Sequence, residues 1–372
     1  MTHDVTITVL GGGNGAFAAA ADLTLKGATV HLLEVPELAP DTIAPVQTRG
    51  GIELVNSDVA GVAAGFAPVA VVTDDPEAAL AGADMVLYVV PAYAERRFTE
   101  FCLPYFRPEQ LVVLFCGSFG GALEVASLLS RRSGMLPTIA ETEQLVYGAF
   151  KQNATTVKVG GLKAGLACAA LPATQTRAVL ERLQPLFSGF QTAPSVLHTS
   201  LRNLNPVVHA PVSLLNAGRT AADKPKWRYY WEGVTEPVGR VVERVDAERV
   251  AVGQALGMAL PGAREVLLSW YEHQGARGRT LGEVMSTNPA YEIAWAPQTL
   301  NHRFLTEDIP FGLVPLEALG RAIGVSTPVI SALITLGSEL VSTDFRTEGR
   351  TLARLGLEGL SSEEIRRQVE TG

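Results

Sequence analysis

The sequence predicts an α/β fold class, a doubly wound parallel sheet followed by an all-helical domain. Three observations carry this. A glycine-rich turn joins a strand to a helix at the start of the chain. Short apolar runs then alternate with helical stretches as far as about residue 195. Beyond that point strand patterns become scarce and helical ones crowd together.

The first unit reads as follows. Residues 5–10 (VTITVL) are β-rich, residues 11–15 are the turn, and residues 16–26 are an Ala-rich helix ended by Gly27. Residues 29–33 (TVHLL) make a second strand, so about thirty residues hold one β–α–β unit. Residues 69–73 predict a strand and 75–80 a short helix. The runs 84–90 (DMVLYVV) and 111–115 (LVVLF) are continuously apolar, as strands buried on both faces are. Helical sequence follows each, at 93–101 and 121–131. Residues 138–141, 155–160 and 164–170 are further strand candidates. The expected domains are 1–195 and 196–372, with a linker at 193–198. Helices are expected at 237–256, 262–272, 315–323 and 328–342, the last with Thr327 as N-cap and Pro328 in its first turn.

With 372 residues, 47% of them hydrophobic and 18% charged, the chain suits two globular domains with real cores. The net charge of −8 and the lack of any Lys/Arg run longer than a pair argue against a nucleic-acid surface. No apolar run approaches the ~20 residues of a membrane span, and the N-terminus lacks a signal-peptide pattern. Cys102, Cys116 and Cys168 fit neither a disulfide framework nor a zinc site, so they are expected as buried, reduced thiols and no metal is expected. A cytoplasmic protein is the expectation.

The turn reads Gly11-Gly12-Gly13-Asn14-Gly15-Ala16 and fits G-x-G-x-x-G/A. Gly11 allows the tight exit from the strand, Gly13 leaves room for a pyrophosphate, and Ala16 lets the helix lie close to the sheet. The helix start offers free N–H groups and a positive dipole end to phosphate. The strand–turn–helix–strand context gives the pattern its specificity and makes the domain Rossmann-type. Glu34 ends the second strand, twenty-three positions after Gly11. A carboxylate there accepts from both ribose hydroxyls and repels a 2′-phosphate, which favours NAD and leaves NADP second. Flavin-binding domains share the glycine pattern, but no late glycine-containing FAD motif is found.

In residues 205–219 (NPVVHAPVSLLNAGR), Asn205, His209, Ser213 and Asn216 fall at spacings of four, four and three, on one helix face. Asn205 is expected as N-cap and Pro206 as the first helical residue. An apolar helix with one stripe of His, Ser and Asn suits the wall of a wet cavity. Residues 301–312 (NHRFLTEDIPFG) form a second polar cluster, irregular at Pro310 and Gly312. There Arg303 is a candidate fork for a substrate carboxylate, and Asp308 or Glu307 a candidate to orient a histidine.

These segments, together with VVPAYAERRF at residues 89–98 and HRFLTEDIPFGLVP at 302–315, resemble the opine dehydrogenase family, the octopine/nopaline dehydrogenases. The four pieces span nearly the whole chain in order. The resemblance implies reductive condensation of an amino acid with a 2-keto acid such as pyruvate, and the reverse oxidation, with NAD(P)H as hydride donor. By segment match His209 is the acid/base group and Asp308 its partner. The cofactor residues are Gly11, Gly13, Asn14, Gly15, Ala16, Glu34 and Pro91. From the stripe and the polar cluster, Asn205, Ser213, Asn216 and Arg303 are the expected substrate residues. The helical domain implied is of the 6-phosphogluconate dehydrogenase C-terminal kind. Residues 222–233 (ADKPKWRYYWEG), rich in aromatic and basic side chains, depart from the usual pattern where substrate-binding aromatics are expected.

Two other readings stay open on sequence: a 2-keto acid or ketopantoate-type reductase of the same architecture that needs no amine, and an NAD-binding sensor without turnover. The identities of the amino acid and keto acid, and the oligomeric state, with a homodimer among the options, are not read from the sequence.

Overall fold

The computed structural model describes residues 5–56, 58–131, 136–163, 165–222 and 226–371. Expectations that fall on Arg132, Ala164 and residues 223–225 lie outside the described residues. The chain divides into two compact units, one of residues 1–200 with 367–372, the other of residues 201–366.

The first unit is built on an eight-stranded sheet. From one edge its order is Gln191–Thr192, Ala167–Leu171, Thr138–Thr142, Leu111–Phe115, Met85–Tyr88, Thr6–Leu10, Thr29–Leu33 and Val71–Thr73. Six strands are parallel, and Met85–Tyr88 and Leu111–Phe115 are buried throughout, as their continuous apolar runs require. Two edge strands depart from the parallel pattern of the expected sheet. Ala167–Leu171 pairs antiparallel with Thr138–Thr142 and carries Gln191–Thr192 with it. An apolar run sets burial but not direction, so this reversal has no local sequence signal.

Leu10 pairs with both Leu33 and Tyr88. The three strands therefore end level and deliver Gly11, Glu34 and Val89 to one carboxyl edge. That edge is where open α/β sheets bind ligands.

The helix after the turn spans Asn14–Leu25, two residues earlier than expected at its start, and every residue from Gly15 to Leu23 is buried. A helix with no polar stripe needs covering on all sides. It lies between the main sheet and a second sheet of four strands in the order Gly65–Ala67, Ile52–Asn56, Thr156–Leu162 and Tyr147–Asn153. Residues 155–160, expected as part of the main alternation, thus belong to this separate layer.

The expected linker is also different in form: residues 196–202 are helix Val196–Arg202. Its Thr199 and Ser200 hydroxyls donate to buried Glu141 at 2.6 and 3.0 Å, and Glu141 also accepts from the Ala122 N–H at 2.9 Å. A carboxylate so satisfied is compatible with burial.

The second unit is helical. Its longest helix, Glu236–Ala255, packs against Asn205–Leu215, Leu281–Thr287, Val314–Ala322 and Pro328–Val341. Arg249, 1% exposed, is satisfied by Asp246 and by the carbonyls of Leu201 and Pro261. Thr327 precedes Pro328–Val341 as expected but makes no side-chain cap bond. Glu248 caps that helix instead, accepting from Val329 and Ile330 N–H at 3.0 Å each. Among the described residues no helix is long and apolar enough to cross a membrane.

Candidate active site and nucleotide cavity

In the first unit a cavity of about 420 Å³ opens beside the glycine turn. Gly11, Gly13, Asn14, Glu34 and Pro91 line it, whereas Gly15 and Ala16 are buried beneath the loop. Gly11 has φ +108°, and a Cβ there would meet Val90 Cγ1 at 2.7 Å and the Val89 carbonyl oxygen at 2.9 Å. Around Gly13 a Cβ would meet nothing within 4 Å. The first glycine is thus demanded by the fold, and the second leaves open space at the start of the helix, where phosphate binds.

Glu34 is 3% exposed, and its Oε1 accepts from the Val35 N–H at 2.8 Å. Burial pushes its pKa up to about 7 against the pull of the Val35 and Gly12 N–H groups and the Lys151 charge. Lys151 was not singled out by the sequence. It comes from strand Tyr147–Asn153 of the second sheet, and its ammonium donates to the Gly12 carbonyl at 3.1 Å. The open loop, the buried carboxylate and the cavity fit a dinucleotide.

In the second unit the polar stripe lies on helix Asn205–Leu215, with Asn216 just past its end. The helix begins at Asn205, not after it. Leu204 is the N-cap residue, and the Asn203 side chain accepts from the Asn205 N–H at 3.0 Å. Residues 301–312 are irregular as expected. A short helix Arg303–Thr306 leads to Asp308 and a π-helical turn Ile309–Leu313.

His209 and Asp308 meet there. Nδ1 of the histidine is 2.7 Å from Oδ2 of the aspartate, and Nε2 is 2.9 Å from the Tyr230 hydroxyl. The network assigns the proton to Nδ1, which donates to the carboxylate, so Nε2 accepts from Tyr230. Phe304 stacks on the imidazole with ring centroids 4.0 Å apart, and Tyr291 stacks on Tyr230 at 4.1 Å. Burial raises the Tyr230 and Tyr229 pKa values, so both phenols stay neutral. His302 is shifted the other way, depressed by burial and by the Arg303 charge.

The other stripe residues are tied into the scaffold. The Tyr229 hydroxyl donates to the His209 carbonyl at 2.9 Å and pairs with Ser213 Oγ at 2.7 Å. Asn216 Nδ2 donates to the carbonyls of Val212 and Gly233, clasping the helix end to the aromatic segment. Glu307 pairs with Arg303 at 2.9 Å, which leaves Asp308 as the carboxylate at the histidine. Arg303 is 56% exposed. Tyr230 and Phe304 were missed as individual site residues, and only the aromatic density of residues 222–233 pointed toward the former.

Known proteins resemble the chain over its whole length. Residues 192–341 match the family model described as NAD/NADP octopine/nopaline dehydrogenase, alpha-helical domain. Over the full length of both chains, the protein is 38% identical to the opine dehydrogenase of Arthrobacter sp. (strain 1C). Among solved structures, octopine dehydrogenase in complex with NADH and agmatine superposes with a TM-score of 0.82, at 23% identity, covering 97% of each chain. Yersinopine dehydrogenase with NADP+ bound gives a TM-score of 0.74 at 15% identity, covering 100% of this chain and 99% of that one.

Proposed function

The chain belongs to the opine dehydrogenase family, and from that premise we propose that it joins the amine of an amino acid to the carbonyl carbon of a 2-keto acid, with His209 and Asp308 as its acid–base pair. It is an NAD(P)-dependent oxidoreductase of the CH–NH group. The amine adds to the keto carbon to give a carbinolamine, loss of water leaves a C=N bond, and reduction of that bond gives an N-(carboxyalkyl) amino acid. The reduced nicotinamide supplies the hydride when bound.

The observation that carries the reading is the held imidazole of His209. Its Nδ1 proton is committed to buried Asp308, so the Nε2 lone pair is the working atom. Nε2 relays two protons from the nitrogen to the former carbonyl oxygen, the first as the carbinolamine forms and the second as its hydroxyl leaves as water. Asp308 stabilises the imidazolium between those steps. Before substrate enters, Tyr230 donates to the same lone pair and keeps the ring oriented; the substrate nitrogen then takes its place. Asn205 shares the face of His209 and is assigned to substrate contact, whereas Ser213, expected in the same role, is buried against the Tyr229 hydroxyl and acts through it. Asn216 acts through the backbone it clasps. Arg303 offers a guanidinium fork to a substrate carboxylate.

Glu34 supports NAD as the preferred coenzyme, because an ionised carboxylate accepts from ribose hydroxyls and repels a 2′-phosphate. The test is an NADH-oxidation screen of amino acids against pyruvate and longer 2-keto acids. Turnover is expected only when both substrates are present. Equal turnover with keto acid alone would assign the protein to hydroxy-acid formation instead. NADH binding without turnover for any pair would make it a sensor.

A further inference from the structure

We infer that Lys151 is a ligand for the dinucleotide's diphosphate, supplied to the glycine loop by the second sheet. This rests on the reading of the cavity as the coenzyme site and adds to it a charge that the glycine pattern does not contain.

Three contacts fix the residue at the loop. Its backbone N–H donates to Asn14 Oδ1 at 2.9 Å, so the strand is registered on the first residue of the helix. Its ammonium donates to the Gly12 carbonyl at 3.1 Å and sits 3.9 Å from the centroid of the Phe17 ring. The side chain is half-buried in the cavity wall.

The charges of the cavity then divide. Among the described residues Lys151 is its one cationic lining side chain and Glu34 its one carboxylate, and the two do not form an ion pair. Burial lowers the Lys151 pKa and the Glu34 charge counters it. An ammonium held partly out of water and hydrogen-bonded to a neutral carbonyl gains from an incoming anion. The open space at Gly13, one residue past the carbonyl that Lys151 holds, is where the loop admits phosphate. Glu34 stands at the ribose end instead. A diphosphate thus meets N–H groups from the helix start and an ammonium from the neighbouring sheet.

A purely structural role, in which Lys151 only fastens the second sheet to the loop, predicts different ligand selectivity. The experiment is calorimetric titration of the full chain and its Lys151→Met and Lys151→Arg variants with NADH, 5′-ADP, 2′,5′-ADP and adenosine. Binding of NADH by the wild type tests the coenzyme reading itself, independently of the lysine. Met keeps an unbranched apolar side chain and removes the charge that sits over Phe17. The expected result is a loss of roughly tenfold to a hundredfold for NADH and 5′-ADP in Lys151→Met. Adenosine affinity should stay unchanged, with most of the ADP affinity kept by Lys151→Arg. The 5′-ADP affinity of Lys151→Met should also fall less steeply with added salt than that of the wild type. Unchanged 5′-ADP binding in Lys151→Met would overturn the inference, as would an equal loss for adenosine, which marks a misshaped loop. A loss confined to 2′,5′-ADP would overturn it too, by placing the ammonium at the ribose phosphate.

Discussion

His209 Nδ1 and Asp308 Oδ2 lie 2.7 Å apart, although ninety-nine positions separate the residues. Helix Asn205–Leu215 presents the histidine, and the turn between Arg303–Thr306 and Ile309–Leu313 presents the aspartate. Phe304 belongs to the same short segment and stacks on the imidazole face. One stretch of chain therefore holds the ring by its edge and by its face. Rotation and tautomer are fixed together, as a group moving protons at one nitrogen requires.

Asp308→Asn should preserve the packing and spoil the chemistry. An amide retains an acceptor for Nδ1 but cannot stabilise an imidazolium as a carboxylate does. We expect kcat to fall by about a hundredfold to ten-thousandfold, the usual range for acid–base catalysis. The NADH dissociation constant should change less than about twofold, since a residue acting only in the proton steps leaves ground-state binding alone. His209→Ala should lose turnover to a similar extent, and the double variant should be no worse than the single ones if the pair acts as a unit. Steady-state rates with saturating amine and keto acid, alongside fluorescence titration of NADH, check this.

Tyr230→Phe isolates the other ring nitrogen. The Tyr291 stack, 4.1 Å between centroids, and the apolar body of the ring are kept, so the melting temperature should fall by no more than a few degrees. The hydrogen bond to Nε2 is lost, and kcat/KM is expected to fall about tenfold, the size of one hydrogen bond in a buried network. Burial holds the phenol neutral well beyond its ordinary range. The alkaline limb of the pH–rate profile should therefore be the same in wild type and variant. A limb that disappears in Tyr230→Phe would assign the titration to the phenol.

Glu34 gives a pH signature that belongs to the apoprotein. Its folded pKa, about 7, stands above the ordinary carboxylate value of 4.5, so the folded state holds a proton that the unfolded state gives up. The stabilisation is complete below 4.5 and is lost as pH rises through 7, amounting to about 3 kcal/mol at most. Glu34→Gln carries no such titration. Its melting temperature should exceed that of the wild type more at pH 8.5 than at pH 5.5, other titrations being common to both. Coenzyme binding runs the opposite way. NADH affinity of the wild type should rise through pH 7 as the carboxylate ionises and accepts from the ribose, while Glu34→Gln stays flat. NADPH should gain relative to NADH in that variant.

The parts legible in the sequence are those written in consecutive residues. The glycine turn, its flanking strands and Glu34 follow from local periodicity and spacing, because one β–α–β unit contains them all. The polar stripe was legible for the same reason, since four residues on one helix face show in the spacing alone. Its partners were not. Tyr230 and Phe304 reach His209 from elements whose approach no local pattern encodes, and Asp308 was separated from Glu307 only by resemblance. Lys151 is the extreme case, for its backbone meets Asn14 across 137 positions through a sheet absent from the predicted architecture. Strand Tyr147–Asn153 alternates buried and exposed at its start, with Phe150 70% exposed. That period marks an outer layer and differs from the continuously buried strands of the main sheet.

Gly11 and Gly13 should separate stability from coenzyme binding. Gly11 sits at φ +108°, and an added Cβ would fall 2.9 Å from the Val89 carbonyl oxygen, which the strand pairing holds in place. Gly11→Ala should therefore destabilise the apoprotein by about 1–3 kcal/mol, the scale of such backbone strain. Gly13 has φ −78°, an ordinary value for any residue, and its Cβ position is open. Gly13→Ala should leave the denaturant midpoint of the apoprotein unchanged, yet its methyl group fills the space kept for phosphate. NADH affinity is expected to fall about tenfold or more, while adenosine, which lacks phosphate, loses little. Chemical denaturation of both variants without ligand, followed by titration with NADH and adenosine, reads the two effects separately. Equal destabilisation of the two apoproteins would contradict the division, because it would mean that the space at Gly13 serves the fold and not the coenzyme.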